Sequence, residues 1–89
     1  MATVHLRIEG KVQGVFYRAT AKEIAEKLGV KGWIKNTWDD DVEVMATGSE
    51  EAIQKFIEWC WVGPRKAEVA NVIVTRKEET PFENFSVIR

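Results

Sequence analysis

Three features predict an α+β fold: a ferredoxin-like, split βαβ sandwich with an antiparallel sheet and both helices on one face. The hydrophobic period switches between two residues and about 3.6 along the chain. The resulting order is strand, helix, strand, strand, helix, strand, followed by a short closing strand, which is the split βαβ plan. Glycines and short polar clusters punctuate each switch, and no linker or low-complexity segment interrupts the series.

Val4, Leu6 and Ile8 alternate with His5, Arg7 and Glu9, as in a strand with one buried face, and Gly10 is read as its end. From Arg18 onward Ala21, Ile24, Ala25 and Leu28 fall at helical spacing, Glu23 and Lys27 pair across a turn, and Gly29 is placed to cap. Val30 to Asn36 and Asp41 to Thr47 read as strands joined by a hairpin turn over Thr37 to Asp40. Ser49 is an N-cap residue with Glu50 and Glu51 behind it; Ile53, Phe56, Ile57 and Cys60 then form an apolar stripe ending before Gly63 and Pro64. Val69 to Thr75 gives a fourth strand, residues 77–84 a polar connection, and Phe85 to Ile88 the closing strand.

In this plan a right-handed crossover makes the first two strands parallel, with the third between them. Their C-terminal ends share one edge, which brings the segment Gly10 to Arg18 close to Asn36.

At 89 residues the chain is expected to form one domain over 1–89, so any active site is a surface crevice rather than a cleft between lobes. Thirteen basic and fourteen acidic residues give a net charge of -1, and no basic block points to nucleic acid. One cysteine and one histidine build neither a disulfide framework nor a zinc site, so no metal and no cofactor is expected. No apolar run reaches the length of a signal core or a membrane span, which makes a cytoplasmic protein without a membrane partner the expectation, with a monomer as the default.

The segment GKVQGVFYR joins a strand to a helix, and Gly10 and Gly14 permit backbone conformations that other residues resist. A curved run of amides over Gln13, Gly14, Val15, Phe16, Tyr17 and Arg18 at a helix N-terminus is a cradle for phosphate, and the Arg18 guanidinium adds a bidentate fork. An ordinary glycine turn with a solvated arginine has the same spacing. Asn36, with donors and an acceptor but no charge, is suited to holding a water beside a bound phosphate, and equally to starting a turn.

IEGKVQGVFYR, followed by GWIKN, DDDVEV and Gly48, resembles the two signature segments of the acylphosphatase family. GPRKAEV and NFSV are similar to the segments before the fourth strand and in the closing strand, so the likeness spans nearly the whole chain. The resemblance implies that Arg18 and the amides Gln13 to Tyr17 bind phosphate and that Asn36 positions the attacking water. Three positions depart from the family pattern: Asp40 where glycine usually follows the aspartate, Tyr17 where Phe or Met is commoner, and Ile34 in place of a smaller residue. Asp40 is expected to need positive φ and adds negative charge near an anion site.

The implied substrate suits these residues. An acyl phosphate departs as a carboxylate whose conjugate acid has a pKa of about 4, so no general acid is required. An alkyl phosphate departs as a strongly basic alkoxide and usually needs a metal or an acid. Selectivity for mixed anhydrides follows, with inorganic phosphate and sulfate as competing anions. A non-catalytic anion-binding module on the same fold is the alternative. RNA recognition would need aromatic platforms on the central strands, which the first strand lacks. His5 and Cys60 are read as structural, Trp38 as exposed in the turn, and Asp39, Asp40 and Asp41 as a solvated turn.

Overall fold

Alternation builds the first strand. Val4, Leu6 and Ile8 are fully buried while His5 and Arg7 between them are half-buried, and in the computed structural model, which describes residues 1–89, strand β1 runs Ala2–Lys11. The remaining elements are α1 (Tyr17–Leu28), β2 (Lys31–Asn36), β3 (Val42–Gly48), α2 (Glu50–Val62), β4 (Glu68–Lys77) and β5 (Phe85–Ile88).

The strand order is β4-β1-β3-β2-β5, with β3 between the parallel pair β1 and β2 as the crossover rule requires. Two expectations are corrected. The sheet is mixed rather than antiparallel, because β5 pairs parallel to β2 from Gly32↔Phe85 to Lys35↔Ile88. Chain geometry imposes this direction: β4 ends beside Thr3, at the end of the sheet where β2 begins, and the connection crosses only that end. Thr80 marks the crossing, its N–H donating to Thr3 Oγ1 at 2.9 Å and its carbonyl accepting from Thr47 Oγ1 at 2.7 Å.

Gly10 also does not end β1. A register shift between Glu9 and Gly10 carries the pairing on to Lys11↔Glu68, with Gly10 at φ 127° and so close to β4 that a Cβ would lie 2.2 Å from Glu68 O.

The core lies between the sheet and the two helices, with Leu6, Ile8, Ile34, Val44, Ile53 and Phe56 at or near zero exposure. Burial of each large side chain contributes roughly 1.5–3 kcal/mol. Helix α2 is capped by Ser49, whose Oγ accepts from Ala52 N at 3.1 Å, and its first turn carries Glu50 and Glu51. Helix α1 ends at Gly29 in the left-handed region, where Val30 N donates back to Ala25 O at 2.8 Å. Tyr17 opens α1 inside the core, and its hydroxyl donates to Cys60 O at 2.7 Å. A phenol in place of the commoner Phe therefore brings its own partner.

Candidate active site

The loop between β1 and α1 is anchored by the buried side chains of Val12 and Val15, and from Gly14 to Phe16 its backbone alternates in hand. Gly14 has φ 72°, Val15 is not left-handed, and Phe16 returns to φ 65°. Alternation of this kind turns successive N–H groups toward one side, the geometry of an anion nest. None of the amides from Gly14 to Ala19 donates to another protein group. Phe16 occupies the N-cap without a side-chain cap bond, which leaves the first-turn amides of α1 open to an anion. A non-glycine residue held left-handed costs roughly 1–2 kcal/mol, and Phe16 is 79% exposed, so core packing does not explain it.

Arg18, one residue into α1, donates from Nη1 to Ile88 O of β5 at 3.1 Å. A single bond uses one of five guanidinium donors and fixes the orientation of the rest. Arg18, Gly14, Phe16 and Asn36 line one cavity of about 810 Å³, within the usual range for a small-molecule site. Lys22 and Arg89 add positive charge to its wall against the single acid Glu23. Lys22 lies four residues after Arg18, hence on the same helix face, so the spacing in the sequence already pairs it with Arg18.

Asn36 closes β2 on the helix side of the sheet. Its Oδ1 is the one buried side-chain nitrogen or oxygen in the chain with no hydrogen-bond partner. An unpaired buried acceptor costs about 1–3 kcal/mol and calls for an explanation, and a ligand or a water in the adjoining cavity supplies one.

The turn after Asn36 is rigidly built. Thr37 N donates to Asp41 O at 2.9 Å, Asp41 N donates to Thr37 Oγ1 at 2.9 Å, and Asp40 takes the expected positive φ, 74°. Arg7 braces the turn from β1, donating from Nη2 to Asp39 Oδ2 at 2.7 Å and from Nε to Asp41 Oδ2 at 3.1 Å. The Thr37 hydroxyl first, and Arg7 second, hold the Asp39 carboxyl below the usual carboxylate range.

The residues predicted to form the site divide by side chain. Arg18 and Asn36 meet on one cavity, which Gly14 and Phe16 also line. Val15 and Tyr17 turn their side chains into the core, so only their main chains face the loop's concave side. Gln13 sends its amide to the β2–β3 turn instead, a contact that residue spacing gives no means of finding. His5 Nε2 lies 2.7 Å from Glu43 Oε2 on the opposite face of the sheet. Cys60 is fully buried, and burial pushes its thiol up to about 12. Trp38 is 95% exposed at the turn.

The sequence and the fold are similar to those of known proteins. A family model described as acylphosphatase matches residues 4–87. An acylphosphatase from Pelotomaculum thermopropionicum is 42% identical over 87 residues, covering 97% of this chain and 95% of the relative. Among solved structures, the acylphosphatase from Bacillus subtilis superposes with a TM-score of 0.97 at 32% identity over the full length of both chains. One from Coxiella burnetii gives a TM-score of 0.94 at 38% identity, covering 98% of this chain and 92% of the other. With the loop, the arginine and the asparagine placed as described and the likeness running end to end, the chain belongs to the acylphosphatase family.

Proposed function

We propose that the protein hydrolyses the carboxyl–phosphate bond of small acyl phosphates, with Arg18 and the loop amides holding the phosphate and Asn36 holding the nucleophile. The observation that carries this reading is the convergence of Arg18 and the unpaired Asn36 on one cavity beside a run of undonated amides.

The amides of Gln13 to Arg18 and the Arg18 fork take the phosphate oxygens, where fixed donors stabilise the charge of a loose transition state without reorganising. Asn36 orients a water toward phosphorus. As the new P–O bond forms, the bond to the acyl oxygen breaks and the carboxylate leaves with its electron pair; the water proton passes to a phosphate oxygen of the substrate itself. A leaving group this weakly basic needs no protonation, so Arg18 and Asn36 suffice without a general acid or a metal. Inorganic phosphate and sulfate compete for the same cradle.

The test is hydrolysis of a simple aroyl phosphate in excess chelator, with a phosphate monoester as control. Turnover of the first, unaffected by chelator, and none of the second is expected. Chelator-sensitive activity restored by a divalent ion would contradict the mechanism, and phosphate binding without turnover would leave an anion-binding module. Inorganic phosphate at 100 times its dissociation constant should also stabilise the fold by about 2.7 kcal/mol, read as a rise in melting temperature beyond an ionic-strength control.

A further inference from the structure

The cradle loop and the turn that follows Asn36 are separate pieces of chain, and their relative position decides where Asn36 sits against a bound phosphate. Hydrogen bonding between residues 10–18 and 36–41 comes down to one side chain. Gln13 Nε2 donates to Thr37 O at 2.9 Å and to Asp41 O at 2.8 Å, the carbonyls at the two ends of the turn. No backbone bond joins the two segments.

The fit is chemically specific. A primary amide offers two coplanar N–H groups, and both are used here; the two carbonyls also fix which end of the amide is the NH2. A carboxylate of the same shape would face two carbonyl oxygens with nothing to donate. The Gln13 side chain does not line the cavity, so it acts only through the turn.

We propose that Gln13 is a positioning residue for the hydrolytic reaction, clamping the β2–β3 turn to the cradle loop so that Asn36 holds its water in line with the phosphate. The proposal rests on the reading of Asn36 given above. The cradle needs no such clamp for its own shape, because its amides begin α1 and Arg18 is tied to β5 at Ile88. Loss of the clamp therefore displaces the nucleophile and spares the anion site. A displacement on the order of 1 Å at a reacting group is enough to cost about 10²-fold in rate.

The experiment is a double-mutant cycle on the full chain with an aroyl phosphate as substrate and inorganic phosphate as inhibitor. Gln13→Met removes the donors at similar length, and Gln13→Glu does so at constant shape, which keeps the test alive if either variant folds poorly. In both, kcat should fall by about 10- to 100-fold while the phosphate inhibition constant stays within about two-fold. Gln13→Met placed on Asn36→Ala should cause no further loss, since the residue through which it acts is already gone. A general loosening of the fold would instead lower melting temperature and phosphate affinity together and would multiply with Asn36→Ala. Parental kcat in the Gln13 variants, or fully multiplicative losses, overturns the proposal. Parental kcat in Asn36→Ala alone overturns the reading beneath it, and the two failures are distinct.

Discussion

On the face of the sheet away from the helices, Glu43 is joined to His5 at 2.7 Å and Lys35 at 3.5 Å, and Arg7 reaches Asp39 at 2.7 Å and Asp41 at 2.9 Å. On the helix side of the same sheet end, the amides from Gly14 to Ala19 donate to nothing and Asn36 Oδ1 has no partner. Lys35 and Asn36 are neighbours on β2, yet the strand pleat sends them to opposite regimes. The first face carries more charge and looks the busier, but each of those groups already has a partner. Unpaired polar groups persist where a ligand supplies what the protein does not, since each costs about 1–3 kcal/mol without one. Chemistry is therefore expected on the quieter side.

Arg18 and Asn36 give the largest effects with which to test that division. Arg18→Ala should reduce kcat/KM by about 10²- to 10³-fold or more and raise the phosphate inhibition constant in parallel, because in the proposed mechanism the fork serves both the bound phosphate and the transition state. Asn36→Ala should lower kcat by about 10²-fold with phosphate affinity nearly unchanged. Steady-state kinetics with phosphate inhibition separate the two. Equal loss of phosphate affinity in both variants would show that Asn36 touches the phosphate rather than the water.

The paired face should respond in stability alone. Glu43→Gln removes the ion pair with Lys35 and the carboxylate that bonds His5, and a partly exposed pair of this kind is worth about 1 kcal/mol or less. The His5 hydrogen bond chiefly, and Lys35 after it, hold the Glu43 carboxyl below its usual value of 4.5. A depressed carboxyl stabilises the fold above its unfolded value, and that contribution disappears as pH falls through the folded one. The difference in melting temperature between parent and variant should be present at pH 7 and close below pH 4.5, while kcat/KM stays at the parental value. A ten-fold fall in kcat/KM would mean that the two faces are coupled.

The regions also differ in how far they can be read from sequence. Period-two alternation at Val4, Leu6 and Ile8 and the helical stripe of α2 are local patterns, and a crossover rule then brings Arg18 and Asn36 together without any contact being known. The direction of β5 is not local: it depends on where β4 ends and on which side the connection crosses. Phe16 in the left-handed region contradicts residue preference, as a strained functional loop does. The Gln13 clamp joins residues far apart in the chain through one side-chain amide, and nothing in the spacing marks it.

The smallest expected effect lies between the two regions, at Asp40, whose φ of 74° places a non-glycine residue in the left-handed region at the tip of the turn that Arg7 braces from one side and Gln13 from the other. Its side chain is exposed and makes no hydrogen bond, whereas the carboxylates of Asp39 and Asp41 on either side both accept from Arg7. Nothing the carboxylate does offsets the backbone cost, so Asp40→Gly should relieve roughly 1 kcal/mol of strain, partly cancelled by the greater freedom of glycine in the unfolded chain. A neutral to slightly raised melting temperature is expected. Asp40 does not line the cavity, so kcat should hold. The effect on KM is a small fall from removing one negative charge near the anion, larger at low salt than at high salt because screening weakens it. Melting temperature and kinetics at two ionic strengths check both parts. A clear loss of stability would show that the turn depends on Asp40, and a fall in kcat would show that its strain helps hold Asn36, moving the boundary between the two regions to the turn itself.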